Sequence, residues 1–337
     1  MNRFIDNWMR EVYKRRRKWI NRCMLLLLTI AIVSACTSTT TNQNQTDDFQ
    51  TASTDCRLVQ HEMGETEVCG QPQRVASLSP YLLDYMLALG VQPIAHSDAA
   101  WNPSIEVYGN PIEQIPYLGQ WIETNPIPTG HNDSPSLEAL TVAQPDLILG
   151  EEYHKRKYTL MTQIAPTLLF NQRRTDGTID WQHNIKEIAL ALNREAQAEE
   201  LLARHSQRIS AVREKLASVV AAYRRILVLY FNAQDNSIYL EDHSTAARLF
   251  QKIGFEIVSS KNSSVLPEAN PGNNGPISIE ILPQIEADPV LRQVPAFKEG
   301  KVFFVDSYLW SSATRGPLTD ELILEALPDL LLSQVGS

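Results

Sequence analysis

The chain of 337 residues has no P-loop, no Gly-x-Gly-x-x-Gly fingerprint, no His-Glu-x-x-His and no Gly-x-Ser-x-Gly nucleophile elbow. The local signals of nucleotide binding, zinc proteolysis and serine hydrolysis are therefore missing. The apolar run at 24–35 stops short of the roughly 20 residues that a membrane-spanning helix needs. Cysteine is scarce, at four. Positive charge is scarce where a nucleic-acid binder would need it. The formal charge is −9, and residues 1–35 alone carry +6 (eight Lys and Arg against Asp6 and Glu11), which leaves −15 on the rest. A body that acidic is unsuited to neutralising phosphates.

What is present begins with an export signal. Lys14-Arg15-Arg16-Arg17-Lys18 is a basic block, and the apolar stretch behind it is centred on Leu25 to Leu28. A short apolar run behind a positive flank reads as a signal peptide, here residues 1–35. It ends Val33-Ser34-Ala35-Cys36, which resembles a bacterial lipobox and implies cleavage before Cys36 and acylation of that residue, with palmitate as the expected kind of chain. Residues 36–55 are rich in Thr, Ser, Asn and Gln and bury too little to order themselves, so they read as a flexible tether. With Cys23 in the signal and Cys36 lipidated, Cys56 and Cys69 remain. They flank a hairpin-like stretch turning near Met63-Gly64, and an oxidising compartment favours a disulfide between them. Zinc held by Cys56, His61 and Cys69 is the competing reading, without an evident fourth ligand.

Strands are expected at 74–78, 91–96, 117–119, 147–150 and 167–170. Helices are expected at 82–89, from Ser134-Pro135 onward, where Pro suits a first helical turn, and at 158–164. Such alternation predicts a mainly parallel sheet, and residues 56–180 are assigned to an N-terminal α/β lobe. An approach helix at 180–190 leads into residues 195–223. There Ala198, Leu201, Leu202, Ile209, Val212, Leu216, Val219, Val220 and Tyr223 recur at helical spacing with charges between them. Glu200 and Arg204 add an i,i+4 pair. With no Gly or Pro inside, this stretch predicts one unbroken rod roughly 40 Å long, so residues 181–223 are assigned to an interlobe spacer, the alternative being one long helix within a single larger domain. A C-terminal α/β lobe, 224–337, follows, with strands at 225–230, 238–240, 255–258 and 302–305 and helices at 245–253, 277–282 and 318–332.

A short repeat links the lobes. Ser136-Leu137-Glu138-Ala139-Leu140 matches Ser278-Ile279-Glu280-Ile281-Leu282, with Asp146 and Asp288 eight residues past each Glu. A buried strand follows Asp146. Pro289-Val290-Leu291-Arg292-Gln293 follows Asp288 and reads as a turn into a helix, so the second lobe is expected to lack a strand that the first has.

Several segments in order carry a family resemblance. They are Gln73-Arg74-Val75-Ala76-Ser77-Leu78-Ser79, Leu87-Ala88-Leu89-Gly90-Val91, Gln144-Pro145-Asp146-Leu147-Ile148-Leu149-Gly150 and Phe297-Lys298-Glu299-Gly300-Lys301-Val302, with Trp310 and Arg315-Gly316-Pro317 near the end. Behind a lipobox, this order resembles the substrate-binding proteins of ABC importers for ferric siderophores and vitamin B12, in particular the iron-siderophore-binding lipoproteins of cyanobacteria and similar bacteria. The resemblance implies two α/β lobes with mainly parallel sheets joined by one long helix, as in class III periplasmic binding proteins. It implies a ligand held in the cleft between the lobes, a permease and ATPase complex as partner, a monomer, and an exported, lipid-anchored location. It implies a binding protein rather than an enzyme, with no cofactor and with iron arriving only inside the siderophore.

A ferric siderophore is bulky and already holds its iron, so its site needs aromatic faces and cationic forks rather than metal ligands. Loops leaving strand ends offer Tyr81, Trp101, Trp121, Tyr153, Tyr230, Trp310 and Arg315. The resemblance singles out Trp310 and Arg315, which match the family's ligand loop. It also implies that Glu138 and Glu280, one per lobe, meet arginines of the permease. Cobalamin and haem stay open as ligands. A direct zinc carrier would draw on His96, His131, His154 and His243, whose spacing carries no metal signature. A hydrolase, and a lipoprotein that has lost its ligand, are further alternatives.

Overall fold

The computed structural model describes residues 55–98, 115, 117–171, 181–232, 237–258, 302–310 and 316–332. The signal peptide, the tether and the region of the expected strand loss after Asp288 lie outside them.

Cys56–His61 (β1) and Gly64–Cys69 (β2) form an antiparallel hairpin in the register Cys56 to Cys69 and His61 to Gly64. Gly64 takes φ +108° at the turn, where a side chain would be strained. A Cys56–Cys69 disulfide closes the open end. It leaves no thiolate for zinc. Val59 and Val68 point into the first core, and the Glu62 N–H donates to the Leu169 carbonyl at 2.8 Å, so the hairpin covers one side of the sheet.

That sheet is built from Val75–Ser77 (β3), Pro93–Asp98 (β4), Ile127–His131 (β5), Leu147–Glu151 (β6) and Thr167–Phe170 (β7). The order is β5-β4-β3-β6-β7, and every pairing is parallel. All residues of β6 and β7 are buried, as a parallel sheet covered on both faces requires. The helices between strands are Pro80–Ala88 (α1), Leu137–Ala143 (α2) and Tyr158–Met161 (α3). Ser79 caps α1 by accepting from the Leu82 N–H at 3.3 Å, and Ser136 caps α2 by accepting from the Ala139 N–H at 3.1 Å. Asp146 accepts from the Gln73 and Arg74 N–H groups at 2.8 and 2.9 Å, which ties the approach to β6 onto the approach to β3. The strand expected at 117–119 is instead a turn, with Tyr117 at φ +65°, leading into a 3-10 segment Gly119–Trp121. The strand lies further on, at β5. Its Pro128 and Gly130 hide it from a pattern search, yet proline is tolerated because β5 is the edge strand.

Trp181–Leu192 (α4) leads to Glu195–Lys215 (α5) and Ala217–Ala222 (α6). The expected unbroken rod is therefore interrupted at Leu216, at φ −98° and ψ 7°. Nothing local breaks it. Leu216 is fully buried, and with Val219 beyond the break it lies in the second core, so packing overrides propensity here. α5 serves two interiors. Ala198 and Leu201 join Val75, Leu82, Leu147 and Trp181 in one, while Ile209 and Val212 join Leu249, Phe250, Ile323 and Leu327 in the other.

The rest comprises Arg225–Ile226 (β8), Leu229–Asn232 (β9), Ser237–Leu240 (β10), Thr245–Ile253 (α7), Glu256–Ile257 (β11), Ser307–Trp310 (α8) and Pro317–Leu332 (α9). β9 and β10 pair antiparallel, and β8 and β11 pair parallel. The strand expected at 225–230 is split in two, and residues 302–305 form no strand. The start of α9 ties elements far apart in the sequence together. Leu318 and Thr319 dock their N–H groups on Asp84 of α1. One residue on, the carboxylate of Asp320 accepts from Trp181 Nε1 at 2.8 Å, His205 Nε2 at 3.0 Å and Arg248 Nη2 at 3.1 Å. Asp320 thus joins α4, α5 and α7 to α9.

Candidate functional site at the carboxyl edge of the sheet

The winding of the sheet reverses between β3 and β6: β4 and β5 lie on one side, β7 on the other. In open parallel sheets, ligands sit beyond the carboxyl ends of the strands at such a reversal. Tyr81 leaves β3 there in the first turn of α1. Asp98 ends β4, His131 ends β5, and Glu151 ends β6, followed by Tyr153 and His154 in a 3-10 segment Glu152–Lys157.

Tyr153 is 41 % exposed. Its hydroxyl donates to Glu151 Oε1 at 3.0 Å and accepts from Asn132 Nδ2 at 2.9 Å. Burial of the hydroxyl and the adjacent Glu151 carboxylate push the phenol well above its usual range, and the nearby Tyr81 hydroxyl adds to the effect. It stays protonated, an amphipathic ring with a fixed edge. Tyr81 is 5 % exposed and backs this corner.

His154 is buried beneath, its ring 4.4 Å from that of Tyr153. Its Nδ1 accepts from the Glu151 N–H at 3.0 Å, and its Nε2–H donates to the Asn132 carbonyl. Burial holds its pKa below the usual value, so the imidazole is neutral. Gly150 leaves room for it: a Cβ there would lie 3.0 Å from His154 Nδ1 and 2.8 Å from Leu169 Cδ2.

At the β4 end, burial raises the Asp98 carboxyl to about 6, with the charge of His131 opposing the shift. Burial also lowers His96 to about 4, and its Nδ1 lies 3.7 Å from Asp98 Oδ1. The edge therefore presents hydroxyl, amide and carboxyl groups beside an exposed aromatic face.

Of the residues expected from sequence, Tyr81 and Tyr153 come together here. Trp121 does not join them: its carbonyl accepts from Gln92 Nε2 at 3.0 Å, just ahead of β4, and it packs against the cluster of Leu83, Leu87, Ile115, Leu118 and Ile122. Tyr230 is partly exposed on β9, opposite Tyr239. Trp310 is 8 % exposed and packs in the second core, its ring 6.4 Å from that of Phe250. Glu138 is exposed in the first turn of α2, its carboxyl lowered by its own backbone N–H and by the Ser136 hydroxyl at 3.0 Å. Cys36, Trp101, Glu280 and Arg315 lie outside the described residues. The four candidate histidines do not converge. Among the described residues, only Cys56, Glu67 and Cys69 bring three ligand-type atoms within 4.8 Å of one another, and two of these share the disulfide. Sequence reading missed Asn132, Glu151 and Asp98. The signal for Glu151 was a charged residue closing the buried run Leu147-Ile148-Leu149-Gly150.

Residues 75–283 match the family of periplasmic binding proteins. The Fe(3+)-citrate-binding protein YfmC of Bacillus subtilis (strain 168) is 29% identical over 307 residues, which cover 85% of this chain and 89% of that protein. The ferric-anguibactin-binding protein FatB of Vibrio anguillarum (strain ATCC 68554 / 775) is 27% identical over 277 residues, covering 75% and 80%. The structure of Staphylococcus aureus SirA complexed with staphyloferrin B superposes with a TM-score of 0.59 at 18% identity, covering 83% of this chain and 98% of SirA, and so shares the fold. The first two are named as binding proteins, and the third was solved with its ligand bound. The family match spans more than half of the sequence, and the chain belongs to the periplasmic binding protein family.

Proposed function

We propose that this protein is the substrate-binding lipoprotein of an ABC importer that captures a ferric siderophore and delivers it to the membrane permease. The observation that carries the reading is the pairing of Tyr81 and Tyr153 at the reversal of the sheet, in a chain aligned over 85% of its length with a ferric-citrate-binding protein. A preloaded iron complex needs faces and edges rather than open metal ligands, and this edge offers an exposed phenol ring with amide and carboxyl neighbours. The acyl chain on Cys36 would hold the protein at the membrane, and residues 36–55 would give it reach. Glu138, exposed and charged, together with Glu280, would dock on permease arginines. The aromatic wall of the second lobe would include Tyr230, with Arg315 supplying the cationic fork.

Tryptophan-fluorescence quenching of the mature protein by ferric citrate, ferrichrome, ferric enterobactin, haem and cobalamin tests the reading. Saturable quenching by at least one ferric siderophore, weakened by Tyr153→Ala, is expected. Quenching by cobalamin or haem alone would overturn it.

A further inference from the structure

Resting on that reading, we propose that His154 is a positioning residue for ligand capture: its imidazole clamps the two backbones whose side chains hold the Tyr153 hydroxyl. The relationship is reciprocal. His154 Nδ1 takes the Glu151 N–H, and Glu151 Oε1 takes the Tyr153 hydroxyl proton. His154 Nε2–H meets the Asn132 carbonyl, and Asn132 Nδ2 donates to the same Tyr153 hydroxyl. Asn132 follows β5 and Glu151 ends β6, strands that β4 and β3 separate in the sheet. The clamp therefore bridges the mouth of the reversal and fixes the ring that the ligand meets.

Only the neutral imidazole with Nδ1 bare satisfies both partners. A proton on Nδ1 would face the Glu151 N–H, donor against donor. The groups bearing on this proton are Lys157, which opposes it, Asp133, which favours it, and the Asn132 and Glu151 backbones. Acidification should therefore loosen Tyr153 without touching the ligand. Asp98 titrates at the same edge, so the pH profile is informative only against a variant.

The test uses the mature protein and whichever of ferric citrate, ferrichrome and ferric enterobactin quenches it most tightly. His154→Phe keeps a ring and removes both nitrogens. It should weaken binding about fivefold to tenfold at pH 7.5, as the loss of a hydrogen-bonded anchor implies. In a Tyr153→Ala background the same substitution should have no effect. His154→Gln, which retains an acceptor and a donor, should bind nearly as wild type at pH 7.5 and lose less affinity than wild type between pH 7 and 5. Wild-type affinity in His154→Phe, or an equal loss in the Tyr153→Ala background, would overturn the proposal. If no ferric probe binds the wild type, the siderophore reading fails. The clamp is still judged by hydrogen exchange of the Glu151 amide, which should quicken in His154→Phe and be retained in His154→Gln. Equal protection in all three would refute it.

Discussion

The carboxylate of Asp84, on α1 in the first lobe, caps the amino end of α9: it accepts from the N–H groups of Leu318 at 2.9 Å and Thr319 at 3.1 Å and from the Thr319 hydroxyl at 2.8 Å. A helix that packs in the second core is thus capped by a side chain of α1, which packs in the first. Burial raises the carboxyl from 3.8 to about 7, although the three hydrogen bonds pull the other way and the charge of Asp320 adds to the rise. Between those two values the folded protein holds a proton that the unfolded chain has released. Stability from this group is therefore greatest at low pH and falls as pH rises from about 4 to about 7. Relative to Asp84→Asn, the wild type should gain stability as pH falls from 8 to 5. Urea midpoints of the two proteins at pH 5, 6, 7 and 8 check this, and a difference that grew with pH would contradict it.

Asp320 behaves in the opposite sense. Burial raises its carboxyl, but Arg248 and His205 more than offset that and hold it below its usual value. Removing it strands Trp181 Nε1, His205 and Arg248 together. Asp320→Ala should therefore cost about 3–5 kcal/mol. Arg248→Met should cost less, because the carboxylate keeps Trp181 and His205 as donors, and Arg248 Nε and Nη1 have no partner to lose. A double-mutant cycle by urea unfolding should give a double loss smaller than the sum.

Gly316 precedes α9 at the same junction. A Cβ added there would sit 2.1 Å from Asp84 Cγ. Gly316→Ala should force α9 away from α1 and destabilise by about 1–3 kcal/mol or more. The melting temperature of the variant is the measurement.

The Cys56–Cys69 bridge spans 13 positions of sequence. Closing a loop of that size stabilises by about 3 kcal/mol in the chain-entropy picture. Reduction, or replacement of both cysteines by serine, should lower stability by roughly that amount. The hairpin covering β7 should then exchange its Glu62 amide faster. Hydrogen exchange with and without reductant reads both effects together.

Much of this architecture was legible because the first lobe repeats one local pattern. Thr167–Phe170 falls where Pro166 opens an apolar run, and beyond that lobe Thr245–Ile253 falls where periodicity and the stop at Gly254 place it. β5 was hidden because an edge strand tolerates Pro128, which pattern reading treats as a breaker. The break at Leu216 was hidden because no residue near it disfavours helix; its cause is burial in a core that one segment cannot announce. The site divides in the same way. Tyr81 and Tyr153 stood out as aromatics at strand exits, although only Tyr153 is exposed and Tyr81 is buried behind it. Trp310 carried the same signal but packs against Phe250, since an aromatic beside a loop also fills a core. Asp84 and Asp320 each lie in a run of apolar neighbours, Leu82, Leu83 and Tyr85 for one, Leu318, Leu322 and Ile323 for the other. A charge in such a run implies a buried partner, but not which one.

The division of α5 between two interiors bears on how this protein meets its cargo. Residues 53–337 form one compact unit, and neither interior is complete without its stretch of that helix. The halves are then not free to unfold in turn, and heat should melt them in a single event. Nor are they free to swing widely, since a strut that anchors both ends resists bending. Capture by such a body relies on side chains adjusting around Tyr153 rather than on halves closing, which favours cargo of one shape over cargo of many.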